Sequence, residues 1–92
     1  MSEYYYVNTN ELFGSRIKKF RKDINMTQAE LAKNAGLSRK HISDAERGLV
    51  SLNANDICNI AQALSKDAED IISTAQFSGL KMAKDVEVKY VK

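Results

Sequence analysis

Between Met26 and Gly48 the chain marks two helix starts and two helix stops, packed so closely that only two short helices joined by a tight corner satisfy them. Thr27 followed three residues later by Glu30 is the pattern of a capping box, in which hydroxyl and carboxylate each take a free N–H group at a helix start. Met26, just before the cap, is placed to pack on Leu31. This helix is expected from about Gln28 to Asn34. Gly36 supplies the positive φ of a turn, Ser38 caps a second helix from about Arg39 to Arg47, and Gly48 ends it. Ala32 and Ala35 are small enough for close helix approach, while Leu31 and Ile42 fill the wedge between the pair. Left on the outside of the second helix are Arg39, Lys40, His41, Ser43, Asp44 and Arg47.

The rest of the chain extends this pattern into one small domain of helices. With 92 residues, 43% of them hydrophobic and 28% charged, there is material for a single core and no sign of a disordered or collagen-like composition. Residues 1 to 10 are an extension in which Tyr4 to Val7 reads as a short strand. Residues 11 to 72 carry the helices. Leu12, Phe13, Ile17, Phe20 and Ile24 form one apolar stripe, with Arg16, Lys18, Lys19 and Lys22 as a solvated face and Asn25 as the left-handed stop. After the central pair, Asn53 with Asp56 opens a fourth helix bearing Ile57, Ile60, Ala61 and Leu64, on which Cys58 is expected as a buried or half-buried filler. Asp67 with Asp70 opens a fifth that ends near Ile72. In residues 73 to 92 the alternation of Val86, Val88 and Tyr90 with charged neighbours marks a second strand, suited to dimer or partner contact.

Composition excludes several chemistries. One cysteine and one histidine cannot build a thiolate or multi-histidine metal site, and there is no phosphate-binding glycine loop or evident catalytic pair, so no catalytic residue, metal or cofactor is expected. No apolar run approaches the roughly 20 residues of a membrane helix and the start lacks signal-peptide character, so a cytoplasmic protein is expected. The net charge of +2 conceals a division: residues 11 to 50 carry nine basic and five acidic side chains, residues 51 to 72 one basic and four acidic. A basic set on an outward helix beside such a positive stretch suits insertion in the major groove of DNA.

The run Met26-Thr-Gln-Ala-Glu-Leu-Ala-Lys-Asn-Ala-Gly-Leu-Ser-Arg-Lys-His-Ile-Ser-Asp-Ala-Glu-Arg-Gly48 resembles the phage repressor and Cro type of helix-turn-helix regulators, the Xre family. The resemblance spans roughly Leu12 to Ile72 and implies an all-α, five-helix repressor-like DNA-binding domain, with the short terminal strands as additions. It further implies that Arg39, Lys40, His41 and Asp44 face bases, that Thr27, Gln28, Ser43 and Arg47 meet phosphates, and that Arg21 and Glu46 form a structural ion pair. Two positions depart from the family: Asn25 stands where a glycine is usual, and the loop after Gly48 lacks the usual proline.

The function implied is a sequence-specific regulator, a repressor in the first instance, that reads a palindromic double-stranded operator as a homodimer. The alternative is an antitoxin of the same fold, whose terminal segments neutralise a toxin while the helices autoregulate the operon. For His41 the choice lies between DNA contact and an exposed spacer.

Overall fold

The computed structural model describes residues 8–73, which form five helices: α1 (Thr9–Asp23), α2 (Gln28–Ala35), α3 (Arg39–Glu46), α4 (Ala54–Ala63) and α5 (Ala68–Ile72). No strand occurs among the described residues. The Tyr4 to Val7 strand and the dimer or partner contacts of Val86, Val88 and Tyr90 lie outside them. None of these helices is long and apolar enough to cross a membrane.

Each start is fixed by local chemistry. The Thr27 hydroxyl accepts from the Glu30 N–H at 3.0 Å, and the Glu30 carboxylate accepts from the Thr27 N–H at 2.9 Å, completing the capping box. Ser38 accepts from the His41 N–H at 3.0 Å and Asn53 from the Asp56 N–H at 2.8 Å. Asn8 caps α1 through Asn10 and Glu11, so this helix begins at Thr9, two residues inside the stretch read from sequence as an extension.

The stops are uniform. A residue with positive φ follows each of the first four helices: Asn25 (56°), Gly36 (72°), Gly48 (75°) and Ser65 (59°). The next N–H in each case reaches back five residues, Met26 to Arg21, Leu37 to Ala32, Leu49 to Asp44 and Lys66 to Ala61, at 2.8 to 3.0 Å. This is the Schellman arrangement, which gives orphan carbonyls at a helix end their partners. Asn25 serves here as well as a glycine because a short amide side chain tolerates the left-handed region.

Every helix gives one fully buried side chain to a common centre: Ile17, Leu31, Ile42, Ile60 and Ile71. Ala32, Ala35, Ala61 and Leu64 complete it, and Phe13, Phe20, Met26, Leu37 and Leu52 pack around the edge. Each such aliphatic burial stabilises by roughly 1.5–3 kcal/mol, which is what holds together helices too short to persist alone.

Three expectations about individual side chains are corrected. Ile24 does not continue the α1 stripe; α1 ends at Asp23 and Ile24 is half exposed. Arg16 is not on the solvated face but buried, and its Nη1 donates to the Ile71 carbonyl at 2.8 Å at the end of α5. Burial pushes its pKa down from the usual arginine value. Cys58 is exposed, because Ile57, Ile60, Ala61 and Leu64 define the inner face of α4 and turn position 58 toward solvent.

Candidate nucleic-acid interface

The third helix is seated before it is decorated. At Gly14 the backbones of α1 and α3 come so close that a Cβ built there would lie 2.1 Å from the Ala45 carbonyl oxygen and 2.9 Å from that of Glu46. Beside this contact Arg21 of α1 forks onto Glu46 of α3: Nε donates to Oε2 at 2.6 Å and Nη2 to Oε1 at 2.9 Å. The third arm of the guanidinium, Nη1, donates to the Met26 carbonyl at 2.8 Å. Hydrogen bonding to Glu46 raises the Arg21 pKa further above its usual value. Gln28, at the start of α2, donates its amide to Glu46 Oε1 at 3.0 Å. One carboxylate therefore ties the end of α3 to both α1 and α2, at the Arg21–Glu46 pair the sequence resemblance implied.

At the start of α3 a second tie runs the other way. The His41 Nε2 lies 3.1 Å from Asp56 Oδ2 of α4, with both side chains partly covered.

What projects outward is a compact set. Arg39 is exposed and makes no hydrogen bond or ion pair among the described residues. Lys40 leaves 82% of its side chain in solvent and places Nζ 2.7 Å from Asp44 Oδ2. Asp44 is only 19% exposed along its side chain, and the Arg47 Nη2 stands 3.8 Å from its other oxygen. Its carboxyl is held below its ordinary value of 3.8, first by the Lys40 hydrogen bond and then, against a desolvation cost, by the positive charge of Lys40 and Arg47. Lys40, Asp44 and Arg47 are thus brought together, with exposed Arg39 at the start of the same helix. Ser43 is half-buried beside them, and exposed Thr27 spends its hydroxyl oxygen on the α2 cap. His41 and Gln28 keep part of their surface in solvent while their polar ends are engaged internally.

Sequence reasoning missed three parts of this seat: the close approach at Gly14, the bond from Gln28 to Glu46 and the His41–Asp56 contact. For the first, the lone glycine inside the α1 pattern, which costs helix stability, is the one mark the sequence carries. The other two join residues 18 and 15 positions apart and leave no local trace.

Chemically the exposed face offers the fork of arginine, which matches both a phosphate and the O6/N7 edge of guanine, and one carboxylate acceptor. Lys18, Lys19 and Lys22 of α1 are exposed, with Lys19 paired to Asp23 at 3.0 Å.

Comparison with known proteins agrees with this geometry. A helix-turn-helix family model matches residues 17–71, more than half of the chain. The control protein C.BamHI of Bacillus amyloliquefaciens is 35% identical over 66 residues, which cover 71% of this chain and 82% of that protein. The crystal structure of the restriction-modification controller protein C.AhdI from Aeromonas hydrophila is similar with a TM-score of 0.66 and 27% identity, over 67% of this chain and 94% of that one. The P22 c2 repressor, solved in complex with a synthetic operator, gives a TM-score of 0.64 and 31% identity over the same shares.

Proposed function

Because the chain belongs to the helix-turn-helix family of DNA-binding transcriptional regulators, of the repressor and controller type, we propose that it reads a specific, partly palindromic operator as a homodimer in the cytoplasm, with α3 in the major groove. The observation that carries this reading is the division of α3 into two faces. Ile42, Ala45 and Glu46 are buried against the other helices, while Arg39, Lys40, Asp44 and Arg47 stand outside. A helix held along one side and charged along the other can present a fixed pattern of donors to base edges.

Within that face Arg39 and Lys40 are the leading base readers, because they project from the first turn and Arg39 is free of internal partners. His41 and Asp44 join them through whatever their contacts leave exposed. Thr27 and Gln28 open α2, where free backbone N–H groups and the helix dipole favour a phosphate. Ser43 and Arg47 flank α3 toward the same backbone. The +4 balance of residues 11 to 50 supports docking of this side, and the −3 balance of residues 51 to 72 turns α4 and α5 away from it. Occupancy of such an operator site, admitting or blocking polymerase, is the function proposed.

Selection of bound duplexes from a random library tests this directly. The expected product is two inverted half-sites about 34–36 Å apart between centres. On that site Arg39→Ala should lose about 1–3 kcal/mol and relax one position, whereas Gln28→Ala should weaken all sequences evenly and, because the side chain is uncharged, leave the salt slope nearly unchanged. Equal losses on selected and scrambled DNA for both variants would remove the base-reading assignment.

A further inference from the structure

The charges on α3 run against the helix. Its first turn holds no acid and its last turn holds no base, while Arg39 and Lys40 open it and Asp44 lies near its end. Positive charge at a helix N-terminus and negative charge at a C-terminus both oppose the macrodipole. The Lys40–Asp44 pair is also in the weaker order, since an acid preceding a base by four residues is the arrangement that supports a helix best. Helix stability therefore gives only a weak reason for Asp44, roughly a few tenths of a kcal/mol from its pairs with Lys40 and with Arg47 at the C-cap.

Its neighbours give a stronger one. The Asp44 carboxylate, 19% exposed, lies 2.7 Å from Lys40 Nζ on one side and 3.8 Å from Arg47 Nη2 on the other. Two of the three cations on the DNA-facing side share this single acid, and only Arg39 is left out of the arrangement. We infer that Asp44 is a specificity-determining residue that acts by restraint: it holds Lys40 and Arg47 in place and offsets their charge, so that arbitrary duplexes are gripped weakly. The inference rests on the DNA-binding reading above and gives Asp44, placed there beside the base readers, a role exerted through Lys40 and Arg47.

The physical argument is one of competition. Non-specific binding comes almost wholly from phosphate neutralisation, whereas specific binding adds base contacts that require correct geometry. An acid between two cations subtracts from the first term on every sequence. On the correct operator, base-edge contacts made by a pre-positioned lysine return part of that loss, so the ratio of specific to non-specific affinity rises. A unit charge in solvent near a phosphate is worth about 1 kcal/mol at 4 Å, or roughly a fivefold change in binding.

The test compares full-length wild type with Asp44→Asn on two duplexes of about two helical turns, the operator selected with wild type and a scrambled sequence, across a salt series. Asp44→Asn is expected to bind the scrambled duplex about fivefold more tightly, with a salt slope steeper by about one unit, and to gain less on the operator. In the background Lys40→Gln this gain should shrink, because the restrained cation is gone. Thermal unfolding of each variant confirms that the fold is intact. Unchanged scrambled-duplex affinity, or loss on the operator without gain on scrambled DNA, overturns the restraint and makes Asp44 a bystander or a direct base acceptor. An undiminished gain in the Lys40→Gln background also overturns it, since the effect would then be net charge alone. A wild type that selects no duplex at any salt overturns the DNA-binding reading itself, and the inference with it.

Discussion

The Arg21–Glu46 pair allows a prediction in which the sign depends on how many partners are removed. The Glu46 side chain is 2% exposed and that of Arg21 9%, so neither can turn to water when the other is lost. Glu46→Ala strips two hydrogen bonds from the guanidinium and one from the Gln28 amide. A buried charge left without its partner costs about 3–5 kcal/mol. The 66 described residues can be expected to hold only about 3–10 kcal/mol of total stability at typical values per residue. Glu46→Ala should accordingly lower the melting temperature by more than about 12 °C, at roughly 4–8 °C per kcal/mol for a domain this small.

Replacing both partners with apolar residues of similar length should behave differently. Arg21→Met with Glu46→Leu leaves no buried charge, and such exchanges are often neutral or stabilising. The Met26 carbonyl still loses its guanidinium donor and the Gln28 amide its carboxylate acceptor, at a cost of about 1 kcal/mol each at most. The double variant is therefore expected within about 1–2 kcal/mol of wild type, well above Glu46→Ala. Thermal and urea unfolding, followed by circular dichroism on wild type, both single variants and the double, closes the cycle. A Glu46→Ala loss below about 1 kcal/mol, or a double variant no more stable than the singles, would refute the account of the pair as a buried, mutually dependent unit.

Two further predictions concern side chains that sequence alone misjudges. Gly14→Ala should destabilise by about 1–3 kcal/mol, although alanine is the better helix former by about 1 kcal/mol, because the added Cβ meets the Ala45 carbonyl oxygen at 2.1 Å and backbone cannot yield cheaply; a raised melting temperature would contradict the close α1–α3 approach. Cys58 should react with a thiol reagent in the native protein as readily as after unfolding, and Cys58→Ser should shift stability by no more than about 0.5 kcal/mol. Protection of the thiol until denaturant is added would mean that its face of α4 is covered.

The parts of the fold legible in the sequence are those decided within about five residues of chain. Thr27 with Glu30, Ser38, Asn53 and the left-handed stops at Asn25, Gly36 and Gly48 are local bargains between a side chain and nearby backbone, and all appear as expected. Ser65 takes the same left-handed conformation with no residue type to announce it. Ile24 departs from its expected place in the stripe because the apolar spacing runs on into the C-cap, one residue beyond the last helical residue Asp23. Arg16 reads in sequence like any other cation on α1, because its bond to the Ile71 carbonyl, 55 residues later, leaves no local trace. The outward face of α3 was legible from periodicity and resemblance. The internal engagements of Gln28 and His41 were not, since they depend on where α4 and the end of α3 come to rest.

Those engagements explain how a helix of eight residues, too short to persist alone and opened by two cations against its own dipole, can be held rigidly enough for the reading role proposed for it. Glu46 fixes its end to α1 and α2, His41 ties its start to α4, Gly14 sets its distance from α1, and Ile42 anchors its middle with no exposed surface. Because the inner face supplies the stability, the outer face is released from supplying any, and Arg39, Lys40, Asp44 and Arg47 can be arranged for a ligand instead of for the helix. Local disfavour on that face is then the expected signature of a functional surface. On the proposed reading the two faces should separate in their consequences: substitutions at Gly14, Arg21 or Glu46 are expected to act on stability and on all DNA together, and those at Arg39 or Asp44 on which DNA is held, with the fold left as it was.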